Sequence, residues 1–308
     1  MSLFFVMLSK LFPLYATMGA GYGLARAFGN MSKSLAQIQI YFIVPVIVLV
    51  NMMKLDFTPD LFMLPCTYGF LCVVISSTTN FLARKVGTDY APLLAQGSGS
   101  ANIGYLGIPI AAILFPDNFM PVYILAMVGG QIYESTLGYY WVARGRYTAR
   151  DAVKSLLRLP LVYALICGLV LNKLGAVLPK VWENTPRDFL GAYVVLGALI
   201  IGLGLAQNKK LVLNVKLLSV FYGIKFILWP VSTLTVLAGL RLTPFAVPSQ
   251  YEPILLLFSF LPMAANTAAL AALLDVHPDE AATAVAGSTL LSLVIVPAYV
   301  LLFGLAHG

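Results

Sequence analysis

Apolar residues run through this chain in ten long blocks that are separated by short polar segments. Each block is close to the length of about 20 residues that a helix needs to cross the hydrocarbon core of a bilayer. Open strands cannot satisfy their backbone hydrogen bonds in lipid, so each block is expected to be a helix. The ten predicted spans cover residues 4–25, 34–53, 61–83, 90–115, 119–143, 156–178, 189–206, 215–240, 253–274 and 280–305.

Composition agrees with a chain that lies in lipid. Of 308 residues, 60% are hydrophobic and only 10% are charged, whereas soluble proteins carry about a quarter charged residues. The sequence therefore predicts an all-α, multi-pass integral membrane protein. Its net charge of +7 does not indicate a nucleic-acid partner, because the basic residues lie in short loops, where they orient the spans.

The basic residues predict the orientation of the chain, since cytoplasmic loops carry the excess of Lys and Arg. The loops after the odd-numbered spans hold the larger set, which places them in the cytoplasm and both termini outside. Short loops favour a bacterial inner membrane as the location. The larger set is Arg26, Lys33, Arg84, Lys85, Arg144, Arg146, Arg150, Lys154, Arg158, Lys209, Lys210 and Lys216, and the opposite set is Lys10, Lys54, Lys173, Lys180, Arg187 and Arg241.

A long basic loop at residues 144–155 divides the chain into two halves, 1–150 and 151–308, with five predicted spans each. An odd number of spans per half inverts one half relative to the other, as in many secondary transporters. Short matches support a duplication. Pro-Leu followed by Gly eight residues after the proline occurs in spans 1 and 6, and Pro-Ile-Ala-Ala in span 4 corresponds to Pro-Met-Ala-Ala in span 9.

Span 4 has the composition of a broken helix. Residues 97–109 contain four glycines and Pro109, and both residue types weaken a continuous helix. We expect a break near residues 104–108 and a new helix that begins at Pro109, a position proline favours. Span 9 repeats the pattern around Leu261 and Pro262, followed by Asn266 and Thr267.

Two such breaks at membrane depth predict an anion site. Unpaired backbone groups are tolerated there only against protein or a cavity, and the N-terminus of a restarted helix attracts negative charge. Asn102 and Asn266 would add neutral hydrogen-bonding groups beside the breaks. The alternative is that the prolines only kink two tightly packed spans.

Two ionisable residues lie well inside predicted spans, and such residues mark functional sites by default. Glu134 follows Gln131 in a polar stretch of span 5 and could hold a proton or a sodium ion. Lys225 in span 8 could pair with Glu134 or attract a substrate carboxylate. The alternatives are a structural buried pair, or a lysine that extends to the cytoplasmic interface.

The sequence contains no recognisable motif for catalysis. The chain has two histidines, His277 in a loop and His307 at the terminus, and it lacks both the H-E-x-x-H motif and the G-x-x-x-x-G-K-[ST] phosphate loop. The sequence therefore predicts that the protein is not an enzyme, holds no metal, and needs no cofactor other than H⁺ or Na⁺ as a coupling ion.

Several of these residues occur in the order and spacing of a known family. Asn102 with Gly107-Ile108-Pro109 in span 4 resembles the auxin efflux carrier family, which includes plant PIN proteins and bacterial malonate or malate permeases. The wider superfamily includes the bile acid–sodium symporters. The second half of the chain agrees through Leu261-Pro262, Val276-His277-Pro278-Asp279, Thr283-Ala284-Val285, Gly287 and Pro297.

The resemblance implies ten spans in two inverted repeats. Spans 1, 2, 6 and 7 would form a scaffold that often dimerises, and spans 3–5 and 8–10 a mobile transport domain in which spans 4 and 9 cross. The family's crossover asparagine and proline carry onto Asn102 and Pro109, and its span-9 proline onto Pro262. This chain lacks the carboxylate that the sodium symporters place at the span-9 break, which argues against sodium coupling.

The prediction is a secondary transporter that carries a small organic anion, with a carboxylate as the expected class, by an elevator-type movement. A passive facilitator or channel is the alternative. The lipid bilayer and a second copy of the chain are the expected partners. Gly19, Gly21 and Gly23 are candidates for the contact between copies, and the alternative is that they serve packing within the chain. The candidate binding residues are Asn102, Gly104, Gly107, Pro109, Pro262, Asn266 and Thr267, and the candidate coupling residues are Gln131, Glu134 and Lys225.

Overall fold

A computed structural model of the chain describes residues 3–29, 31–143, 148–182, 184–206 and 212–305. Every regular element among these residues is a helix, so the predicted all-helical class is confirmed there. Four of the residues used to predict orientation, namely Arg144, Arg146, Lys209 and Lys210, lie outside the described residues, as does His307.

The first half of the chain contains eight α-helices among the described residues. They are α1 (Leu3–Phe28), α2 (Ser32–Ile38), α3 (Val44–Met53), α4 (Met63–Val86), α5 (Ala91–Gly99), α6 (Gly107–Leu114), α7 (Met120–Tyr133) and α8 (Tyr139–Val142). Short 3-10 turns cover Pro59–Phe62 and Asp117–Phe119.

The second half contains eight more in its described part. They are α9 (Ala149–Leu157), α10 (Pro160–Lys173), α11 (Thr185–Leu205), α12 (Val215–Gly223), α13 (Trp229–Leu240), α14 (Glu252–Phe260), α15 (Ala265–Leu273) and α16 (Pro278–Leu302). Short 3-10 turns cover Lys180–Trp182 and Ser249–Tyr251.

Three π-helical turns lie inside otherwise continuous helices. Gln39–Ile43 joins α2 to α3, Glu134–Gly138 joins α7 to α8, and Ile224–Leu228 joins α12 to α13. Such turns insert one residue into the helical register and often occur at functional sites. Two of them carry the ionisable residues Glu134 and Lys225.

Length and composition allow five of the described helices to cross a membrane: Ser32–Met53, Pro59–Val86, Thr185–Leu205, Val215–Leu240 and Pro278–Leu302. The bent pair Ser249–Phe260 and Ala265–Leu273, whose axes differ by 47°, forms a sixth candidate. The protein is therefore a multi-pass membrane protein with five to six such helices in its described part, which is fewer than the ten spans predicted.

Predicted span 6 begins later than its apolar block suggests. Residues 149–157 form the separate helix α9, which carries Arg150 and Lys154, and the span proper starts at Pro160. Leu159 is extended, because a residue that precedes proline is disfavoured in the helical region. The apolar residues at positions 156 and 157 thus end the loop helix instead of opening the span.

Small residues allow several helices to approach closely, as is common between helices in membranes. A Cβ atom on Gly21 of α1 would lie 2.5 Å from the Leu199 carbonyl oxygen of α11, and one on Gly202 would lie 1.9 Å from that of Met18. Gly21 therefore serves packing within the chain. A Cβ on Gly19 or Gly23 would meet nothing within 4 Å.

Candidate functional site

The first broken helix runs through α5 and α6, which are separated by the irregular segment 100–106. The break therefore starts earlier than predicted, and the second helix begins at Gly107 instead of Pro109. Pro109 occupies the third position of α6, inside the first turn, where backbone N–H groups have no intrahelical partner. Its missing donor consequently costs the helix nothing, and the proline need not be the first residue.

The second broken helix runs through α14 and α15, and residues 261–264 separate the two parts. The break lies at Leu261 and Pro262, where the sequence predicts it. Leu261 is extended, as expected for a residue before proline. Residues 261–264 are all buried, so this irregular backbone contacts protein and not lipid.

The two breaks meet each other. The backbone N–H of Asn102 donates a hydrogen bond of 2.9 Å to the carbonyl oxygen of Pro262. A Cβ atom on Gly107 would lie 2.7 Å from Leu261 Cδ1, so the absence of a side chain at Gly107 allows this approach. The two segments form a crossover, which we define as residues 100–107 and 261–267.

Asn102 accepts two hydrogen bonds from backbone groups near the other end of the first break. Its carbonyl oxygen accepts a 2.9 Å hydrogen bond from the Gly107 N–H, and its side-chain Oδ1 accepts one of 3.3 Å from the Leu106 N–H. The Asn102 side chain is only 4% exposed, and its Nδ2 donor has no hydrogen-bond partner among the described residues. Since an unsatisfied buried donor costs about 1–3 kcal/mol, this group is well suited to bind an acceptor on a ligand.

Gln96 is a further candidate site residue, one that the sequence pattern does not single out. It lies in α5, is 1% exposed, and neither its Oε1 nor its Nε2 has a hydrogen-bond partner in the described part of the chain. Buried polar atoms are usually paired, so the unpaired amide is a second set of groups that could bind a ligand. Its signal in the sequence is a single amide within the otherwise apolar start of span 4.

Side chains from other spans hold the carboxyl-terminal end of α5. The Tyr133 hydroxyl donates to the carbonyl oxygens of Ala95 and Gln96, both at 3.2 Å. Trp229 Nε1 donates to the Ser98 carbonyl oxygen at 2.6 Å. These bonds supply additional donors at a helix end, where intrahelical partners become fewer.

Lys225 contacts the first break and not Glu134. Its Nζ donates a 2.9 Å hydrogen bond to the carbonyl oxygen of Ser100, and its side chain is 1% exposed, so it does not extend to the interface. Within the described residues the one salt bridge joins Arg241 to Glu252, so Lys225 has no carboxylate partner there. A lysine at the centre of a membrane helix costs at least about 2.5 kcal/mol, which makes its contacts important.

The two neighbouring residues Asn266 and Thr267 face different groups. Thr267 is buried, and its hydroxyl shares a 2.9 Å hydrogen bond with the Ser100 hydroxyl. Asn266 is exposed, and its Nδ2 donates to Glu134 Oε2 at 3.2 Å. Gln131 lies one turn before Glu134 and donates to Ser135 Oγ at 3.1 Å. The structure thus places Thr267 in the crossover and Asn266 beside the half-buried Glu134.

Tyr193 of α11 packs against the first break. A Cβ atom on Gly104 would lie 2.5 Å from the Tyr193 hydroxyl, and the rings of Tyr105 and Tyr193 have centroids 5.7 Å apart. Gln39 Nε2 donates to the Tyr193 carbonyl oxygen at 2.8 Å. The crossover therefore has one face that contacts α11.

Comparison with known proteins identifies one family. The family model described as membrane transport protein matches residues 146–300, which is half of the chain. The matched region includes Lys225, the second break and most of α16. No curated protein matches the sequence.

Proposed function

Because this chain belongs to the membrane transport protein family, which is that of the auxin efflux carriers, we propose that it is a secondary transporter of a small organic anion. The observation that carries the proposal is the crossover, in which Asn102 binds the backbone of Pro262 and keeps a buried amide donor unpaired. A transporter family is also consistent with the absence of catalytic motifs from the sequence.

The proposed architecture has ten spans in two inverted repeats, with both termini outside a bacterial inner membrane. The packing supports a scaffold of spans 1, 2, 6 and 7, since α1 packs along α11 and α3 packs along α10. It equally supports a transport domain, since α5 and α7 both pack on α4 and α15 packs on α16. An elevator-type movement would carry the crossover past Tyr193.

The anion's carboxylate would bind at the crossover. The half-helices α6 and α15 both begin there, and helix N-termini favour negative charge. Asn102 Nδ2 and the Gln96 amide would donate hydrogen bonds, while Gly104 and Gly107 let the ligand approach the backbone. Charge-assisted hydrogen bonds of this kind contribute about 1.5–3 kcal/mol each. Pro109 and Pro262 would fix the backbone that presents these groups.

Glu134 would bind the coupling ion, which is H⁺ or Na⁺. Its carboxylate accepts from Asn266, whose own half-helix forms part of the crossover, so a change in charge at Glu134 would reach the substrate site through Asn266. Glu134 opens its π-helical turn, and Gln131 donates to the next residue of that turn, Ser135. Two copies of the chain would associate through the open face of α1 at Gly19 and Gly23.

The test is uptake into proteoliposomes, after a thermal-shift screen of mono- and dicarboxylates and indole acids has selected a ligand. The wild-type protein should take up the labelled acid saturably, show counterflow, and respond to a proton or sodium gradient. Asn102→Ala should lower uptake about tenfold or more, because it removes a hydrogen bond to a charged group. Asn118→Ala, at an exposed asparagine of the 3-10 turn Asp117–Phe119, is the matched control and should leave uptake unchanged.

Each outcome bears on a separate part of the proposal. Full uptake by Asn102→Ala would remove the crossover as the binding site. A flux that does not saturate and shows no counterflow would replace the transporter with a channel. The absence of both binding and flux for every acid would overturn the anion assignment.

A further inference from the structure

The carboxyl-terminal end of α5 is bound by a positively charged side chain. Helix ends leave their last carbonyl groups without partners and carry partial negative charge. Here the donors come from Tyr133, Trp229 and Lys225. Tyr133 and Trp229 are neutral, whereas Lys225 brings an ammonium group to Ser100, the first residue of the break.

A second contact at this place is favourable for a cation. Its Nζ lies 4.6 Å from the centre of the Trp229 ring, an arrangement in which the face of the ring attracts a cation. The same indole donates to the Ser98 carbonyl oxygen at 2.6 Å. The π-helical turn Ile224–Leu228 contains Lys225 and immediately precedes Trp229, and both side chains reach the end of α5.

Ser100 connects this cation to both broken helices. Its carbonyl oxygen accepts from Lys225, while its hydroxyl shares a hydrogen bond with Thr267 of α15. Two residues further on, Asn102 binds the backbone of Pro262. The ammonium group therefore acts on the crossover through Ser100. Lys225 is accordingly a positioning residue and not a group that touches the substrate.

In cation-coupled transporters, unwound carbonyl groups and the carboxyl ends of half-helices coordinate the exchangeable ion. We propose that Lys225 is a tethered cation of the crossover, whose ammonium group occupies the carbonyl end of α5 in place of an exchangeable ion. The part it plays in transport rests on the proposed function, but its part in holding the crossover does not. A cation supplied from solution should then substitute for the ammonium group once it is removed.

The experiment measures the melting temperature of the purified full chain in equal concentrations of choline chloride and ammonium chloride. Lys225→Ala removes the charge and leaves room for a small cation. We expect this variant to melt several degrees below the wild-type protein in choline, and ammonium to recover a clear part of the loss. The wild-type protein and Lys216→Ala, at an exposed lysine of the same span, should melt alike in both salts.

A Lys225→Ala protein that melts at the same temperature in both salts would overturn the proposal. If this variant does not fold, Lys225→Arg and Lys225→Met replace it. Both side chains resemble lysine in length, but only arginine carries a positive charge. The proposal then requires Lys225→Met to melt well below Lys225→Arg, and equal melting temperatures would contradict it.

Uptake separates this inference from the proposed function. If the wild-type protein carries an acid, Lys225→Ala should carry it more slowly, and ammonium should restore part of the rate. Ammonium-dependent stability without transport of any acid would retain the tethered cation and reject the proposed function. Acid transport by Lys225→Ala at the wild-type rate in choline would reject the tethered cation and retain the proposed function.

Discussion

The first broken helix interrupts its span over residues 100–106, whereas the second does so over the shorter segment 261–264. The first segment contains the polar residues Ser100 and Asn102, and the second reads Leu-Pro-Met-Ala. The longer segment carries the unpaired donor of Asn102. The shorter, apolar segment supplies a carbonyl oxygen to Asn102 and the start of α15.

The helix ends at the two breaks also differ in how they are stabilised. The end of α5 receives donors from Tyr133, Trp229 and Lys225. Near the end of α14, Ser259 donates to the Leu256 carbonyl oxygen within its own helix, and within the break the Met263 N–H donates to Ser288 Oγ at 3.2 Å. Changes at the first break should therefore affect more of the protein than changes at the second.

The largest effect is expected at Gly107, where an added side chain would enter the contact between the two breaks. In Gly107→Ala the new Cβ would lie 2.2 Å from the Tyr123 hydroxyl and 2.7 Å from Leu261 Cδ1. Overpacking of this kind costs about 1–3 kcal/mol, and thermal unfolding in detergent would measure it. The matched control is Gly239→Ala, where nothing lies within 4 Å and alanine should stabilise the helix slightly. Equal melting temperatures for the two variants would contradict a tightly packed crossover.

A smaller and more selective effect is expected at Gly104. In Gly104→Ala the Cβ would lie 2.5 Å from the hydroxyl of Tyr193 on α11, and the next atom is 3.7 Å away. Because only one side-chain end must move, the variant should lose less stability than Gly107→Ala, and it should slow uptake by several-fold. Tyr193→Phe removes the atom that clashes, and the double variant should recover much of the rate. Comparing uptake rates with melting temperatures checks this prediction, and a double variant no faster than Gly104→Ala would contradict it.

The smallest effect is expected at the second break. Ser288→Ala removes the acceptor of the Met263 N–H and should destabilise the protein by about 1 kcal/mol, as measured by thermal unfolding. Ser259→Ala is the control, because its hydroxyl bonds only within its own helix and helical alanine is favourable. A Ser288→Ala variant that melts far below Gly107→Ala would reverse the proposed difference between the breaks.

Much of the fold follows from local composition. The predicted limits of span 8, residues 215–240, coincide with the combined bounds of α12, the π-helical turn and α13, because a long apolar block in lipid has few alternatives to a helix. The family resemblance is likewise confirmed by the match to residues 146–300. The predicted ten spans, inverted repeats and substrate class stay predictions.

The breaks were predictable from their residues, since Gly and Pro weaken a helix wherever they occur. The exact limits were not, because a proline fits anywhere in the first turn of a helix. Pro109 could therefore not distinguish a helix that begins at Gly107 from one that begins two residues later.

Local composition is enough to identify a helical membrane protein with two interrupted spans and two ionisable residues among apolar ones. What those residues contact depends on the packing of distant segments. Lys225 binds a carbonyl oxygen 125 positions away in the chain, and Asn266 instead of Lys225 contacts Glu134. Local composition sets helix formation, whereas the partner of a buried polar group depends on which distant backbone groups the packing leaves unpaired.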